Sequence, residues 1–419
     1  AGASVPAARR AAGGCRVSAR VDHDVVVIGA GPTGLFAAAE LQRRGLDAVL
    51  LEARPEAVAG SRAIGVHAPT LAALEASGAT DRLLAHAVRI PRGLAVSGGR
   101  VLGDIRFDRL PLRFPFVAAV PQPATEAAVA HGGPEPRRGA RVTALADRGD
   151  RVDVVLDVAG DAVLSAGVVV VAGGRPGRAL LPAAGVRERG YRDRYVMADV
   201  PGPTGEPDDV ATVALDPAGV LESFPLPGGG RRLVAWDGVD AAMTSAAAAA
   251  DAPGGASELE RLRTAVAQRG GGVALAGMIE RATTFGIRRA LARRMRVGRV
   301  VAIGDTAHEV SPMGGQGMNL GLLDAATLAP LLVEWLRGEE PAAALARWER
   351  DRLVSARAAG LMAGLNTALG RPRSPVAHRV TTGAFRVAMT TPARTVLARA
   401  YAMGFDRAAS RPLSGRATS

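Results

Sequence analysis

An apolar run that ends in three regularly spaced glycines constrains this chain more than any other feature. Residues 24–34 read Asp-Val-Val-Val-Ile-Gly-Ala-Gly-Pro-Thr-Gly, with the spacing GxGxxG at Gly29, Gly31 and Gly34. The run over 25–28 is continuous, as expected for a strand buried on both faces. A helix is predicted from about residue 33 to 44, and a second strand from about 48 to 51, which ends in Glu52. The pattern predicts a strand–turn–helix–strand unit.

Each element of this motif has a physical role in binding a dinucleotide. Gly29 permits the tight turn, Gly31 lets the backbone approach a pyrophosphate, and Gly34 lets the helix pack closely on the strand. The free N–H groups and the positive dipole end of the helix then face the phosphates. Glu52 follows Gly29 by 23 residues, a spacing that suits hydrogen bonds to a ribose diol. The motif predicts an ADP-binding site and leaves NAD and FAD open as its ligand.

A second strand, glycine-rich loop and helix follow about 270 residues later. Residues 300–319 read Val-Val-Ala-Ile-Gly-Asp-Thr-Ala-His-Glu-Val-Ser-Pro-Met-Gly-Gly-Gln-Gly-Met-Asn. The strand over 300–303 ends at Gly304 and Asp305, and a helix is predicted over about 319–334. Asp305 can accept a hydrogen bond from a polyol hydroxyl, and free amides at the helix start stabilise an anion. The pattern predicts a second ligand contact.

These two motifs together resemble a known family. GDTAHEVSPMGGQGMNLGLLDA, over residues 304–325, looks like the second FAD motif of the single-component flavoprotein monooxygenases. This family includes para-hydroxybenzoate hydroxylase and the ubiquinone-biosynthesis hydroxylases. The resemblance runs from about Asp24 to Phe405. It includes Arg62, where the family has an arginine that reaches the FAD, and Gln122, which matches a glutamine near the flavin.

The resemblance implies an extended FAD that connects the two motifs. Its ADP part would lie on residues 29–34 and Glu52, its ribityl chain near Asp305, and its isoalloxazine ring near residues 312–319. The cofactor-binding residues implied in this way are Gly29, Gly31, Pro32, Thr33, Gly34, Glu52, Ala53, Arg54, Arg62, Gln122, Gly304, Asp305, Pro312, Gly315, Gly317, Met318 and Asn319.

The same resemblance implies an FAD-dependent NAD(P)H monooxygenase, which is an oxidoreductase. NADPH or NADH would be the transient reductant, and O2 would react to give a flavin hydroperoxide that hydroxylates an aromatic or phenolic small molecule. His67 is the candidate catalytic residue, because a base that deprotonates a phenol pushes electrons into its ring. The alternative is that the flavin does the chemistry without His67. For His308 we expect a hydrogen-bonded histidine near the end of a strand, with a catalytic role as the alternative.

Other functions on the same fold stay open at this stage. They are epoxidation, Baeyer–Villiger oxidation, reduction of a prenyl chain, and a non-catalytic flavin- or ligand-binding protein. The last is kept because the chain departs from the family after the strand over 168–171. Gly173 stands where the family has Asp, and Gly177 stands where it has Ser. That family motif is associated with pyridine-nucleotide handling, so its loss predicts slow reduction or none.

Composition and charge exclude several classes of protein. The single cysteine and six histidines, with no HxxxH or HxH pair, predict no metal site and a cytoplasmic, reducing location. No uninterrupted apolar run reaches the length of a membrane span. The net charge of +12 is concentrated at the two ends and aromatic residues are only 3%, so we expect no nucleic-acid partner. A basic amphipathic C-terminus leaves two alternatives open, peripheral contact with an anionic membrane or a helical layer packed on the body.

The predicted fold class is α/β. A discontinuous Rossmann-like FAD-binding domain is expected over residues 22–88, 114–185 and 295–340. A mostly antiparallel substrate domain is expected over 89–113 and 186–294, and C-terminal helices over 341–419. Residues 1–21 are expected to form a disordered tail.

Overall fold

Three β-sheets and surrounding helices make up the fold in the computed structural model, which describes residues 21–57, 63–157, 162–181, 185–239, 257–339 and 341–406. The strands are β1 (His23–Ile28), β2 (Ala48–Glu52), β3 (Gly65–Val66), β4 (Val88–Ile90), β5 (Arg92–Ser97), β6 (Arg100–Arg106), β7 (Val117–Ala119), β8 (Arg137–Arg138), β9 (Val142–Asp147), β10 (Val152–Leu156), β11 (Val163–Val171), β12 (Arg187–Val200), β13 (Val210–Ala214), β14 (Leu221–Pro225), β15 (Arg231–Val239), β16 (Thr283–Leu291), β17 (Arg296–Val297), β18 (Val300–Ala302) and β19 (His308–Glu309). The α-helices are α1 (Pro32–Arg43), α2 (Ala68–Leu74), α3 (Ala79–Leu84), α4 (Gln122–Ala130), α5 (Glu258–Gln268), α6 (Gly272–Gly277), α7 (Gly317–Leu336), α8 (Ala342–Leu369), α9 (Pro375–Met389) and α10 (Ala393–Tyr401).

The first sheet has a parallel centre built around β1, in the order β17-β18-β11-β1-β2-β8, with the β9–β10 hairpin attached to β11. Ile28 at the end of β1 lies beside Leu51 of β2 and Val171 of β11, and Val171 lies beside Ala302 of β18. These strands therefore end at the same level. Both glycine motifs begin at this carboxyl edge, which is where open α/β sheets bind their ligands.

The second sheet has the order β19-β16-β12-β15-β14-β13-β5-β6 and is antiparallel except where β13 meets β5. Strands β5 and β6 come from residues 92–106, before the rest of the sheet in the chain. Helices α5 and α6 bury Leu262, Val266 and Leu275 against one face of this sheet. A small third sheet has the order β3-β7-β4, and its strands come from residues 65–119, between β2 and β8 of the first sheet.

A buried charge network ties the C-terminal helices to α7. Arg352 of α8 donates to Asp324 of α7 and to Asp406 after α10, with N···O distances of 2.6 Å, and His308 lies 2.6 Å from the same Asp324 carboxylate. All four side chains are fully buried. Burial by itself raises the pKa of Asp324, but His308 and Arg352 bring that pKa below its ordinary value. The expected structural role of His308 agrees with this network.

The predicted fold class is confirmed, with a discontinuous parallel sheet, a mostly antiparallel second sheet and C-terminal helices. The domain boundaries stay a prediction. The predicted tail lies outside the described residues except for residue 21. Helix α7 has the length and composition to cross a membrane, with a mean hydropathy of 1.2, but it packs as a core helix with 61% of its apolar window buried.

Candidate active site

The first glycine motif forms a tight turn with open space in front of it. Gly29 has φ +105°, and a Cβ there would lie 2.6 Å from the carbonyl oxygen of Ala172. A Cβ on Gly34 would lie 1.8 Å from the carbonyl oxygen of Gly29, so α1 approaches the turn more closely than any side chain allows. Around Gly31 there is nothing within 4 Å of such a Cβ, and no side chain caps α1. An open helix N-terminus of this kind fits a phosphate group.

Glu52 lies at the end of β2 beside this turn and is 5% exposed. Its carboxylate accepts hydrogen bonds from the backbone N–H of Ala30 at 2.8 Å and of Arg54 at 2.9 Å. The Arg54 guanidinium adds two more, at 2.9 and 3.1 Å. Burial opposes ionisation, but these donors lower the pKa of Glu52 to about 2. Because a carboxylate has about four acceptor positions, a ribose diol would replace the Arg54 side chain.

Arg178 holds the second motif in place. It directly follows the segment in which Gly173 and Gly177 depart from the family pattern. Arg178 is buried and donates to the backbone carbonyl of Asp305 at 2.6 Å, to Glu309 at 2.7 Å and to Glu188 at 2.9 Å. It thereby fixes the loop that follows β18. The replacement of the family Asp and Ser by Gly173 and Gly177 does not remove these hydrogen bonds of Arg178. A Cβ on Gly173 would make only ordinary contacts, the nearest at 3.4 Å.

Asn319 joins the second motif to the segment that contains His67. Its side-chain oxygen accepts from the His67 backbone N–H at 2.8 Å, and its side-chain nitrogen donates to the carbonyls of Gly65 at 2.8 Å and Gly315 at 2.9 Å. The His67 ring is buried beside Gly315, and neither ring nitrogen has a hydrogen-bond partner among the described residues. Burial lowers the pKa of His67 to about 4, so the ring is neutral at pH 7.

One cavity of about 1090 Å³ connects these elements. The predicted cofactor-binding residues in its wall are Gly29, Gly31, Pro32, Thr33, Glu52, Ala53, Arg54, Gln122, Asp305, Pro312, Gly315, Gly317 and Met318, and His67 is also in the wall. Gly34, Gly304 and Asn319 lie behind it, where they pack or hold the loops. Arg62 lies outside the described residues. The part that each residue plays in holding FAD stays a prediction.

The same cavity continues beneath the second sheet into an apolar chamber. Its wall there consists mainly of Ala95, Met197, Val213, Leu215, Val220, Phe224, Val234, Phe285 and Met313. The C-terminal helices close it with Asn366, Leu369, Phe385 and Tyr401. Tyr401 donates to the side-chain oxygen of Asn366 at 2.6 Å, which joins α10 to α8 over the chamber. A mostly apolar chamber of this kind, continuous with the space at the two motifs, suits a second ligand beside an extended cofactor.

Sequence reasoning missed three polar residues of this chamber, Glu222, Asn366 and Tyr401. For Glu222 a signal exists, since it is the single charged residue in strand β14, whose other residues are apolar except Ser223. Asn366 and Tyr401 carry no local signal, because the chamber is assembled from segments far apart in the chain. Among the described residues there is no group of three or more His, Cys, Asp or Glu that could hold a metal ion.

Sequence comparisons match the chain to flavin enzymes. The family described as "FAD binding domain" matches residues 22–361. Rifampicin monooxygenase of Rhodococcus hoagii is 30% identical over 337 residues, which cover 78% of this chain and 67% of that protein. The 12-dehydrotetracycline 5-monooxygenase/anhydrotetracycline 6-monooxygenase of Streptomyces rimosus is 32% identical over 348 residues, 79% of this chain and 66% of that protein. The chain thus spans about two thirds of the length of these relatives.

Solved structures show the same architecture. The p-nitrophenol 4-monooxygenase of Pseudomonas putida DLL-E4 superposes with a TM-score of 0.77 at 22% identity, over 92% of this chain and 98% of that chain. At this identity the likeness establishes the fold alone. OxyS anhydrotetracycline hydroxylase of Streptomyces rimosus superposes with a TM-score of 0.70 at 27% identity, over 91% of this chain and 75% of that chain.

Proposed function

The chain belongs to the family of FAD-dependent aromatic monooxygenases, and from this premise we propose that it uses NADPH or NADH and O2 to hydroxylate an aromatic small molecule. The observation that carries the proposal is the single cavity that joins the two glycine motifs to the apolar chamber. A monooxygenase needs this connection because its cofactor must meet a second ligand away from water. FAD, when bound, supplies the redox chemistry that activates O2.

The residues at the cavity wall fit FAD at both ends. We propose that the open helix N-terminus at Gly31 receives the pyrophosphate and that Glu52 receives the ribose. At the other end, the backbone N–H groups at Gly317 and Met318 begin the 20-residue helix α7 and line the cavity. The positive end of this helix stabilises negative charge on a bound ring.

His67 keeps its place as the candidate catalytic residue, with a narrower role. Its position in the cavity wall supports contact with FAD or with the substrate. Because burial lowers the pKa of His67 to about 4, the ring is a weak base at pH 7. We propose that His67 orients a ligand, and that proton removal from a phenol falls to another group.

The substrate is proposed to be an aromatic molecule of more than one ring, of the kind found in secondary metabolism. Two relatives carry the names of rifampicin and tetracycline monooxygenases. The cavity volume of about 1090 Å³ exceeds the common range for one small ligand, which leaves room for FAD and such a substrate together. We place the protein in the cytoplasm, where NAD(P)H is available.

The proposal is tested with FAD-loaded protein, NADPH or NADH, multi-ring phenols and isotopically labelled O2. We expect substrate-stimulated oxidation of the reductant and one labelled oxygen atom in a hydroxylated product. Labelled epoxide or lactone would indicate one of the other oxygen-transfer reactions, and a bound flavin that neither reductant bleaches would identify a flavin carrier.

Variants at the ribose end separate binding from folding. Glu52→Gln is expected to weaken FAD binding by about tenfold or more, since it removes the charged acceptor for the diol. Glu56→Gln makes the same chemical change at a nearby exposed position and is the control. Both variants are monitored for thermal unfolding of the FAD-free protein. Equal FAD affinity in the two variants would contradict the assignment of Glu52.

We further propose that α9 contacts an anionic membrane surface. Its outer face exposes a valine stripe, defined as Val376, Val380 and Val387, each 64–67% exposed. The opposite face packs on the protein, where His378 lies 2.9 Å from Ser97. Helices α9 and α10 carry four arginines and no acid. Exposed apolar side chains flanked by arginines fit an interface of anionic lipid headgroups.

Vesicle flotation tests this contact. Wild-type protein is expected to float with vesicles of phosphatidylcholine and phosphatidylglycerol, and not with phosphatidylcholine alone. The triple variant Val376→Ser, Val380→Ser, Val387→Ser is expected to stay at the bottom with both. Because these side chains are exposed, thermal unfolding of the variant should match that of the wild type. Equal flotation of both proteins would refute the contact.

A further inference from the structure

Glu222 is an isolated carboxyl group in the apolar chamber. It lies on β14 between Val213 of β13 and Val234 of β15, its cross-strand neighbours on the same face of the second sheet. Val220 and Phe224, two residues before and after it, also line the chamber. Glu222 is 8% exposed, and its carboxyl has no hydrogen-bond or ion-pair partner among the described residues.

A buried carboxyl without a donor is costly to keep in a fold. Burying an ionised carboxylate without a hydrogen bond costs several kcal/mol, so such groups are normally paired. A leucine or glutamine at this position would preserve the wall of the chamber without that cost. The placement of Glu222 is therefore explained by a donor that arrives with a ligand, since the chamber opens to the proposed cofactor site.

We propose that Glu222 accepts a hydrogen bond from a hydroxyl group on the aromatic ring of the substrate and takes its proton during the reaction. The inference rests on the proposed function and names phenols as its substrate class. Glu222 then acts both in specificity, by favouring ring hydroxyls over ethers, and as a catalytic base.

The proton transfer balances without any further reactant. The O–H bond of the phenol breaks, its electron pair stays on the oxygen, and a new O–H bond forms on Glu222. The resulting phenolate raises the electron density at the ortho and para carbons of the ring, where oxygen is inserted. The inserted oxygen atom comes from O2, with NADPH or NADH as the reductant, as in the proposed function. The ring carbon that gains oxygen releases its own proton to water as the ring becomes aromatic again, and Glu222 returns its proton to the original phenol oxygen, which leaves Glu222 ionised for the next cycle.

The neighbouring charged and titratable groups do not compete with Glu222 as a proton acceptor in the chamber. Arg232 of β15 is bound to Asp199, and Arg288 of β16 lines the wall farther along. Burial and the nearby Glu222 charge raise the pKa of Tyr401 to about 12, and they also raise the pKa of Tyr195, so both phenols stay neutral.

The proton affinity of Glu222 suits this role. Burial raises the pKa of Glu222 to about 7, close to working pH, whereas that of His67 is about 4. A base with a pKa near working pH is the more effective catalyst of proton removal. Of the two residues, Glu222 is therefore the better base.

The test compares 2-naphthol with 2-methoxynaphthalene as probes on FAD-loaded protein. The dissociation constants are measured from naphthalene fluorescence and flavin absorbance at about pH 6 and about pH 8. In the wild type, the preference for the naphthol is expected to rise about tenfold over this interval, because Glu222 becomes an ionised acceptor. In Glu222→Gln the preference is expected to be small and independent of pH. Glu280→Gln, at an exposed position outside the chamber, should match the wild type.

Three results would overturn the role of Glu222. They are a preference that does not change with pH in the wild type, an unchanged pH dependence in Glu222→Gln, and no binding of either probe. The FAD content of the same samples is a separate readout. Protein that takes up no FAD would contradict the proposed function, while naphthalene fluorescence would still report on Glu222.

Discussion

The same substitution, glycine to alanine, is expected to have opposite effects at Gly31 and at Gly34 of the first motif. At Gly31 the backbone has φ −81°, and an added Cβ meets nothing within 4 Å, so alanine fits without strain. Gly31→Ala also reduces the freedom of the unfolded chain, which offsets the small loss at a helix N-cap. We expect the free energy of unfolding of FAD-free protein to change by less than about 0.5 kcal/mol.

With the pyrophosphate over Gly31, as proposed, the same methyl group would occupy the space that the phosphates need. Displacing a phosphate from one backbone N–H removes a hydrogen bond to a charged group and costs about 1.5–3 kcal/mol of binding free energy. This loss raises the dissociation constant for FAD by about 10- to 150-fold. At Gly34 the new Cβ would lie 1.8 Å from the carbonyl oxygen of Gly29, so α1 must move. Gly34→Ala is expected to cost about 1–3 kcal/mol or more in the free energy of unfolding.

Urea unfolding of FAD-free protein and fluorescence titration with FAD measure the two quantities separately. The reasoning requires Gly31→Ala to lose FAD affinity with little loss of stability, and Gly34→Ala to lose stability. Wild-type FAD affinity in Gly31→Ala would show that the pyrophosphate does not lie over this residue. Wild-type stability in Gly34→Ala would show that the turn is looser than described.

Other predictions concern the buried charge network around Arg352, the family departure at Gly173, and the buried carboxyl of Glu222. Arg352→Met removes the buried guanidinium that donates to both Asp324 and Asp406 and should cost about 3–5 kcal/mol in urea unfolding, whereas the exposed control Arg350→Met should cost little. A Cβ at residue 173 makes only ordinary contacts, and Gly173→Asp should speed anaerobic reduction of bound FAD by NADPH in stopped flow. An unchanged rate would argue against a role of this segment in reduction. The pKa of Glu222 is raised from 4.5 to about 7, so its contribution to stability is present at low pH and lost as pH rises through 7. Wild type should therefore lose up to about 3 kcal/mol relative to Glu222→Gln between about pH 4 and pH 8 in denaturant unfolding, and parallel curves would contradict this.

The glycine motifs could be predicted from the local sequence, but the residues at which their helices begin could not. Helix α1 begins at Pro32, one residue before the expectation, and α7 begins at Gly317, two residues before it. Glycine has a low helix propensity, so the sequence predicts that α7 begins after Gly317. Packing against α1 at the carboxyl edge of the sheet overrides that preference, since a Cβ on Gly321 would lie 2.2 Å from the Thr33 hydroxyl.

The valine stripe shows that a helical period does not decide which face of a helix is buried. Val376, Val380 and Val387 recur at helical spacing, which normally marks the buried side of a helix. In the structure these valines face outward, and His378, Thr382 and Met389 are the buried residues of α9. Periodicity identifies an amphipathic helix, but which side is buried depends on the surface it meets. That surface, β6 and its neighbours, comes from residues about 280 positions earlier.

The amino-acid sequence by itself determined the βαβ motif, the second glycine-rich loop and the acid at the ribose position, because each depends on backbone geometry within about thirty residues. Tertiary structure alone decided that the strands of both motifs end level in one sheet, that Arg178 braces the second loop, and that an acid on β14 faces an apolar chamber closed by the C-terminal helices. Burial and the loss of water around a side chain are properties of the assembled fold, and they set the pKa of Glu222 and of His67. No stretch of sequence around either residue contains that information.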